Sequence, residues 1–475
     1  FDLYINGAWT RSTAANRIAV ENPSTGEYIA DVADARVEDG LKAVAAAYEA
    51  ADGWAKTPPR QRSDILRRCF DLMQRDADKL ARLISLENGK ALRDARGEVA
   101  YAAEFFRWFS EQAVRNFGEL GLAPAGSNQI IVTYQPIGVC LLITPWNFPA
   151  AMATRKMAPA LAAGCTCVLK PATETPLTAY AIAALMTEAG VPAGVVNVVT
   201  TSTTSTVVNA NLEDTRVRKV SFTGSTEVGR VLLRKAADQV ISCSMELGGN
   251  APFIVFDDAD LDKAVDGAMI AKMRNDGEAC TAANRLFVQS GIHDRFVAAL
   301  GARMTAVKVG PGTAEDTECG PLVNAAAVGK VADLVDDATR KGARIVCGGQ
   351  RIVGEGYFYP PTVLADVTGT ADVSRAEIFG PVAPIFRFDT EEQAIQRAND
   401  TEYGLVAYVY TRDLARGLRV SERLEAGMVA LNRGLVSDPA APFGGVKQSG
   451  LGREGGHHGM LEFMEAKYIA TDWSA

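Results

Sequence analysis

Cys280 is the residue of this chain whose surroundings best suit nucleophilic chemistry. It lies in the segment GEACTA, residues 277–282, where small side chains leave the thiol accessible and let a ligand approach the backbone. A cysteine thiolate attacks carbonyl carbon atoms and forms covalent intermediates. Taken alone, a cysteine is more often an inert thiol of the core, so this hypothesis needs chemical partners for Cys280.

Three polar residues come directly after predicted strands and are candidates for those partners. Glu246 precedes a double-glycine turn, Asn147 lies between two prolines, and Lys170 is followed by a further proline. A carboxylate can act as a general base, an amide can stabilise an oxyanion, and a lysine can contact a phosphate or a ribose. The ordinary alternatives are a helix cap or ion pair for Glu246 and a turn asparagine for Asn147.

The elements that would position these residues alternate between strand and helix from residue 137 onward. This alternation predicts βαβ units and a parallel sheet, with ligands bound at the carboxyl edge of its strands. The first block has predicted strands at 137–143, 166–169, 195–199, 219–222 and 241–246, and predicted helices at 150–163, 177–189 and 227–237. A second block has predicted strands at 253–256, 285–288, 406–410 and 428–431, and predicted helices at 261–273, 294–307, 391–399 and 414–424.

The first 120 residues are predicted to be mostly helical, with helices at 37–51, 61–87 and 93–117. The aromatic residues of the third helix, which begin at Tyr101, are interpreted as core rather than as a ligand box. Two segments rich in strand formers, 128–134 and 467–473, fall outside both blocks. We expect them to pair with each other or with another subunit.

Composition narrows the class of protein. The chain has 475 residues, 48% of them hydrophobic and 22% charged, and a net charge of −8, which argues against nucleic acid or an anionic membrane as the main partner. Three histidines leave little room for a histidine metal site, and no metal is expected. The N-terminus does not have the pattern of a signal peptide, no apolar run is long enough to cross a membrane, and the eight cysteines form no C-x-x-C pair. These features predict a cytoplasmic protein with reduced thiols.

Eight segments, taken together, resemble the aldehyde dehydrogenase superfamily. They occur in that family's order, cover nearly the whole chain, and lie at 144–149 (TPWNFP), 170–172, 222–229 (FTGSTEVG), 245–252 (MELGGNAP), 277–280, 377–382 (EIFGPV), 399–405 and 442–450. The resemblance implies an α/β fold with three parts. These are a Rossmann-like parallel-sheet cofactor domain at 1–118 and 137–248, an α/β catalytic domain at 249–450, and a small β oligomerisation element at 119–136 and 451–475. A homodimer or homotetramer is expected.

The same resemblance implies oxidation of an aldehyde to a carboxylic acid with NADP or NAD. Cys280 would attack the aldehyde to give a thiohemiacetal. The Asn147 amide and the Cys280 backbone N–H would hold the oxyanion. Glu246 would activate the water that hydrolyses the thioester left after hydride transfer. The residues that the resemblance assigns to the cofactor are Ile143, Pro145, Trp146, Lys170, Thr173, Gly224, Ser225, Glu377 and Phe379.

A finer resemblance is to the succinate-semialdehyde dehydrogenases. It rests on TRK at 154–156, on Arg274 six residues before Cys280, and on the segment 434–437. It implies that Arg155, Arg274 and Ser437 bind the distal carboxylate of the substrate, which suits guanidinium groups because each presents a planar fork of donors.

Three departures from relatives affect the expectations. Ala282 stands where some relatives have a second cysteine, so no disulfide switch at Cys280 is expected. Thr173 stands where many NAD-preferring relatives have glutamate, with Glu174 next to it, so NADP should be accepted and is a candidate for the preferred cofactor. The hydroxyls of TTSTT at 200–204 either contact a 2′-phosphate or cap the next helix, and capping is favoured.

Several alternatives stay open at this point. Glutarate semialdehyde, or a broader range of aldehydes, would fit as well, because one methylene in a pocket is worth only about 1–3 kcal/mol. A CoA-acylating enzyme is disfavoured by the hydrolytic base Glu246, and a cysteine–histidine hydrolase is disfavoured because no histidine lies in a matching motif. A non-catalytic protein is disfavoured by the joint presence of Cys280, Glu246, Asn147 and Lys170.

Overall fold

The computed structural model describes residues 1–472 and shows an α/β protein. The predicted segment 467–473 therefore ends one residue outside the described part. The strands of residues 1–472, in chain order, are β1 (Leu3–Ile5), β2 (Ala8–Thr10), β3 (Arg17–Glu21), β4 (Tyr28–Ala33), β5 (Glu119–Leu122), β6 (Gln129–Pro136), β7 (Val139–Ile143), β8 (Thr166–Lys170), β9 (Val196–Val198), β10 (Val217–Thr223), β11 (Ser242–Glu246), β12 (Ala251–Val255), β13 (Ala283–Gln289), β14 (Arg344–Cys347), β15 (Thr362–Ala365), β16 (Val382–Phe388), β17 (Val406–Tyr410), β18 (Met428–Leu431), β19 (Gly450–Leu451) and β20 (Met464–Thr471).

The α-helices of the same residues begin, in several cases, at side chains that accept a hydrogen bond from the first turn, as Asp260 and Asn324 do. In chain order the helices are α1 (Val37–Lys56), α2 (Pro59–Arg75), α3 (Ala77–Asn88), α4 (Leu92–Gln112), α5 (Pro149–Ala163), α6 (Leu177–Glu188), α7 (Thr204–Glu213), α8 (Thr226–Ala237), α9 (Leu261–Met273), α10 (Ser290–Thr305), α11 (Ala325–Arg340), α12 (Glu391–Asn399), α13 (Leu414–Arg423) and α14 (His458–Leu461).

The first sheet has the strand order β19-β11-β10-β7-β8-β9-β1-β2. Its central strands β11, β10, β7, β8 and β9 run parallel, as the sequence predicts. The register pairs Thr223 with Glu246, Phe222 with Ile143, and Ile143 with Lys170. The carboxyl ends of four neighbouring strands therefore lie side by side, and they carry several of the residues assigned to chemistry.

The second sheet has the order β14-β15-β16-β13-β12-β17-β18 and is parallel except at β14. Its strands are buried on both faces: α9 and α10 belong to one apolar cluster and α11 and α12 to another. This burial explains why strands such as β12 and β17 are continuously apolar rather than alternating. β19 reaches back from the second half of the chain to pair with β11.

The third sheet has the order β20-β6-β5 and confirms the predicted pairing of the two segments outside both blocks. β6 and β20 pair antiparallel from Met464 opposite Pro136 to Thr471 opposite Gln129. The sheet exposes large apolar side chains that a solvated surface would not favour, among them Leu120, Leu122 and Tyr468.

The first 120 residues are mostly helical, as predicted, with α1 to α4 at the predicted positions, but they also contain strands that were not predicted. Four short strands, β1 to β4, precede the first helix, and two of them extend the first sheet. Three-residue strands have no readable periodicity, because an alternation needs four or more residues to be recognised. The predicted helix 61–87 is two helices, α2 and α3, separated at Asp76.

Among the elements of residues 1–472 that were not predicted are α11, β15 and β16. α11 has buried residues Val328, Val331, Val335 and Ala338 at helical spacing behind an asparagine cap. β15 and β16 were missed because their apolar runs are interrupted or short, but both pair in the second sheet. Among the described helices, none combines the length and the apolar content that crossing a bilayer requires.

Candidate active site

Cys280 lies at a cleft between the carboxyl edge of the first sheet and the amino edge of the second, where it precedes β13. It follows a 3-10 turn, Arg274–Gly277. The cleft has a volume of about 270 Å³. Its lining combines residues after β7, β10 and β11 with residues from the second half of the chain, namely Pro145, Trp146, Asn147, Met152, Thr223, Gly224, Ser225, Leu247, Gly248, Cys280, Ala327, Lys330, Glu377 and Phe379.

Cys280 is held as a neutral thiol at rest. Burial raises the pKa of its thiol to about 12, and the nearby Arg155 is the largest influence that lowers this pKa, with Arg274 a smaller one. Two carboxylates, Glu377 and Glu246, act in the opposite direction. Forming the thiolate therefore requires a base that accepts its proton as the nucleophile attacks.

Glu246 ends β11 and is suited to accept a proton. Its side chain is 4% exposed, and neither carboxyl oxygen has a hydrogen-bond partner among residues 1–472. Burial and then the charge of Glu454 raise the pKa of this carboxyl well above its usual range. A higher pKa makes its carboxylate form a stronger base. Space beside it depends on Gly444, where a Cβ atom would lie 2.9 Å from Glu246 Oε1.

Asn147 lies in the loop after β7, next to the nucleophile's loop. It is 3% exposed, and its Nδ2 donates to the carbonyl oxygen of Glu278 at 2.9 Å. One N–H of the amide is used in this bond and the second has no partner among the described residues. Asn147, Glu246 and Cys280, predicted from separate motifs, are therefore brought to one end of the first sheet.

A dinucleotide would fit the other end of the cleft. Trp146 and Phe379 meet edge to face with ring centroids 5.4 Å apart. Ser225, which also lines the cleft, caps the N-terminus of α8, the kind of helix end that binds phosphates. The Glu377 carboxyl accepts from the backbone N–H of Gly249 at 3.0 Å, and burial raises its pKa to about 7.

Ile143, Lys170 and Thr173 lie beside the cleft rather than in its lining. Ile143 and Lys170 are neighbours at the ends of β7 and β8. The Lys170 amine is mostly buried and makes no hydrogen bond within the described chain, which leaves it free for a ligand. The Thr173 hydroxyl donates to Glu174 at 3.1 Å, so a carboxylate stands next to the position where relatives carry glutamate.

The hydroxyls of 200–204 do not act as predicted. Thr200 and Thr201 are fully buried and donate to carbonyls of the segment 33–35 at 2.7 and 2.9 Å. Thr203 precedes α7 but makes no side-chain capping bond. The capping prediction is wrong, because the hydroxyl of the cap residue Thr203 lies 3.2 Å from the Thr201 hydroxyl instead of accepting from the first turn of α7.

A second and larger cleft, of about 560 Å³, is lined in part by Met273 and Arg274, at the start of the turn that precedes Cys280. Arg274 and Ser437 line it together with Tyr101 and Phe148. The guanidinium carbon of Arg274 lies 4.8 Å from the Phe148 ring centroid and 5.9 Å from that of Tyr101. In the part of the chain that the structure describes, Arg274 has no ion pair and no hydrogen bond.

Arg155 lies apart from that lining, in a buried charge cluster. Its Nε lies 2.7 Å from Glu454, whose other oxygen lies 2.6 Å from Lys156 Nζ. The guanidinium packs 4.1 Å from the Phe443 ring centroid, and its Nη2 has no hydrogen-bond partner among residues 1–472. Glu454 was not singled out from the sequence, since a glutamate 298 residues from Lys156 gives no local sign of burial beside it.

Comparison with known proteins identifies the family. The sequence model described as the aldehyde dehydrogenase family matches residues 9–469. The chain belongs to this family. Its members oxidise aldehydes to carboxylic acids, and the chain is accordingly an NAD(P)-linked oxidoreductase, as the motifs predict.

Two relatives and one solved structure show how close the similarity is. The chain is 56% identical over 441 residues to a succinate-semialdehyde dehydrogenase of Paenarthrobacter nicotinovorans, covering 93% of this chain and 98% of that one. It is 50% identical over 466 residues to a glutarate-semialdehyde dehydrogenase of Pseudomonas putida, covering 98% and 96%. A crystal structure of an E. coli NADP-dependent enzyme superposes with a TM-score of 0.97 at 49% identity, covering 99% and 97%.

Proposed function

We propose that the substrate of this aldehyde dehydrogenase is a short aldehyde with a distal carboxylate, succinate semialdehyde first. The observation that carries the proposal is the unpaired guanidinium of Arg274 in the larger cleft, six residues before Cys280. An arginine without a counter-ion in a partly enclosed cleft offers its full fork of donors to an anion.

Neighbouring side chains support the same assignment. The hydroxyls of Ser437 and Tyr101 line this cleft and make no hydrogen bond within residues 1–472. The rings of Tyr101 and Phe148 pack against the Arg274 guanidinium, so its N–H groups are left for a carboxylate. The family relatives named above act on a C4 and a C5 semialdehyde, both of which carry such a carboxylate.

Arg155 would contribute a second positive charge. Its Nε is neutralised by Glu454, but Nη2 has no hydrogen-bond partner among the described residues, and Arg155 is the strongest opposing influence on the raised pKa of Cys280. We assign it to the substrate carboxylate through Nη2 and to stabilisation of the developing Cys280 thiolate.

The catalytic cycle would use three side chains. Glu246 takes the proton of the Cys280 thiol as sulfur attacks the aldehyde carbon. The negative charge on the aldehyde oxygen is met by the free N–H of the Asn147 amide and by the Cys280 backbone N–H. Glu246 then releases the thiol proton to solvent. After oxidation to the thioester, Glu246 takes a proton from the water that attacks the acyl carbon and passes it to the leaving sulfur, which releases the carboxylic acid and the thiol.

The cofactor would be held along the smaller cleft, with the buried Lys170 amine and the residues around Ser225 binding it and Glu377 with Phe379 positioning it. NAD(P)+ bound there supplies the hydride acceptor. Trp146 and Phe379 would exclude water from this part of the cleft.

The test compares Arg274→Ala with Arg303→Ala, because both arginines line the larger cleft but Arg303 already pairs with Asp266 at 2.6 Å. We expect kcat/KM for succinate semialdehyde to fall about 100-fold in Arg274→Ala, which corresponds to the loss of a charged hydrogen bond of about 1.5–3 kcal/mol. In Arg303→Ala it should change little. For propanal, which has no carboxylate, both variants should resemble the wild type. Equal losses on both aldehydes would contradict the carboxylate role.

Glutarate semialdehyde is the second candidate substrate, favoured by the volume of the larger cleft, about 560 Å³, which accommodates an added methylene. The ratio of kcat/KM values for the C4 and C5 semialdehydes decides between them. A ratio above about 10 in favour of the C4 compound supports the first candidate, because one methylene is worth at most about 1–3 kcal/mol.

We further propose that the chain acts as a cytoplasmic homo-oligomer divided into cofactor, catalytic and oligomerisation parts at 1–118 with 137–248, 249–450, and 119–136 with 451–475. The exposed apolar side chains of the third sheet support assembly. In residues 1–472, which contain all eight cysteines, each thiol is free, which fits a reducing compartment.

A further inference from the structure

We propose that Asn275 is a positioning residue that joins the two halves of the oxyanion site. The site draws on two parts of the chain: Asn147 follows β7 of the first sheet, and Cys280 precedes β13 of the second. Asn275 lies in the 3-10 turn before Cys280 and is 1% exposed. No role for it follows from the motifs above.

The side-chain amide of Asn275 donates to both halves. Its Nδ2 lies 3.0 Å from the carbonyl oxygen of Asn147 and 2.9 Å from the carbonyl oxygen of Glu278. The Glu278 carbonyl also accepts from the Asn147 side chain at 2.9 Å. The two amides and two carbonyls form a closed set of hydrogen bonds two residues from the nucleophile.

The backbone of Asn275 is held in a conformation that fits this bridge. Its φ is 55° and its ψ is 40°, in the left-handed region that asparagine tolerates better than other residues with side chains. Its backbone N–H donates to Asp94 at 3.1 Å, and its carbonyl accepts from the Glu278 N–H at 2.8 Å. These backbone hydrogen bonds hold the turn on both sides of Asn275, in the position from which its side-chain amide donates to the two carbonyl oxygens.

Such a bridge would act on the transition state rather than on binding. The oxyanion donors, the Asn147 amide and the Cys280 N–H, have to converge on one oxygen atom, and a misplacement of about 1 Å can cost about 100-fold in rate. Asn275 touches neither the aldehyde nor the cofactor in this arrangement. Its removal should therefore lower kcat and leave both KM values near those of the wild type.

The first experiment is Asn275→Gly, which keeps the left-handed backbone and removes both donated bonds. We expect kcat to fall about 10- to 100-fold, with KM for aldehyde and for NAD(P)+ within about 2-fold. Alkylation of Cys280 by iodoacetamide, which needs no oxyanion, should keep its rate. Asn211→Gly, at a buried asparagine of α7 far from the site, controls for loss of a buried amide. If Asn275→Gly does not fold, Asn275→Asp serves, because aspartate also tolerates this backbone and lacks the donors.

The second experiment is a double-mutant cycle with Asn147→Ala, because the proposal rests on the oxyanion role of Asn147. If Asn275 acts through Asn147, adding Asn275→Gly to Asn147→Ala should change kcat less than about 2- to 3-fold further. If the effects of the two substitutions on kcat are fully additive, or if Asn275→Gly slows alkylation of Cys280, the proposed role of Asn275 is wrong and the mechanism itself is unaffected. Full activity of Asn147→Ala would instead overturn the proposed mechanism, and with it this role.

Discussion

At the scale of single residues, its raised pKa distinguishes Glu246, the proposed base for the Cys280 thiol and for water, from an ordinary surface carboxylate. A buried carboxyl beside Glu454 holds its proton at pH values where a solvated glutamate has lost it. Only the deprotonated form acts as a base, so the fraction of competent enzyme grows as the pH rises.

We expect kcat/KM to keep increasing with pH above the range in which an ordinary glutamate ionises, until Glu246 is deprotonated. Glu246→Gln should lower kcat about 100-fold or more and remove this pH dependence. Pre-steady-state mixing would then show no rapid burst of reduced cofactor, because the attack of the Cys280 thiol and the hydrolysis of the thioester both lose their base. A variant with normal steady-state turnover would contradict the assignment of the base.

We expect a second carboxylate, that of Glu174, to influence the choice between NAD and NADP. Glu174 accepts from Thr173 and raises the pKa of the buried Lys170 against the effect of burial, so its charge lies close to the lysine assigned to the cofactor. A negative charge there repels a 2′-phosphate and favours a ribose hydroxyl.

Glu174→Gln should therefore raise the ratio of kcat/KM for NADP to that for NAD, by roughly 5-fold, equivalent to about 1 kcal/mol for a partly exposed charge. The control is Glu188→Gln, at an exposed glutamate that pairs with Arg75 on the surface. An unchanged ratio would mean that Glu174 does not face the ribose.

At the scale of elements, the turn before Cys280 is anchored by buried acids. Asp276 accepts from the Gly320 N–H at 3.0 Å and Glu278 accepts from the Val323 N–H at 3.2 Å. Burial raises the pKa of Asp276 to about 7 and that of Glu278 well above its usual range, and the charge of Asp94 adds to the effect on Asp276. These acids are neutral at low pH, where the turn is most stable.

The raised pKa of Asp276 predicts the sign of a pH effect on stability. Its contribution is fully present below about pH 3.8, the ordinary value, and is lost as the pH rises to about 7, with a slope of up to about 1.4 kcal/mol per pH unit. Asp276→Asn should flatten this loss, so that the variant gains stability relative to the wild type between pH 4 and pH 8. Urea unfolding at several pH values measures it, with Asp78→Asn on the surface of α3 as the control.

At the scale of the whole molecule, the third sheet combines a long pairing with an apolar surface. β20 returns from the end of the described chain to cover β6, while β5 leaves Leu120 and Leu122 more than half exposed. Such side chains on a sheet edge are costly in a monomer and are typical of a subunit contact.

Introducing charge there should weaken assembly. Leu120→Glu combined with Leu122→Glu should shift sedimentation velocity toward smaller species, because carboxylates buried in a subunit contact lose their hydration. Leu414→Glu on α13, equally exposed but outside the third sheet, should leave the distribution unchanged. Identical sedimentation of both variants and the wild type would contradict assembly through this sheet.

The sequence by itself determined the family and the parallel βαβ architecture, and it predicted Cys280, Glu246 and Asn147 as the catalytic residues, because motifs and periodicity are local properties of the chain. It also predicted that 128–134 and the C-terminal segment pair with each other or with another subunit, since both fall outside the two blocks, and the structure shows that they pair with each other. The tertiary structure decided the charge pairing and the burial of side chains, which local sequence patterns do not predict. It separated Arg155, paired with Glu454, from Arg274, which has no partner in the described chain, and it buried the acids beside Cys280. Charge pairing and burial depend on residues hundreds of positions apart meeting in space, and only the folded chain brings them together.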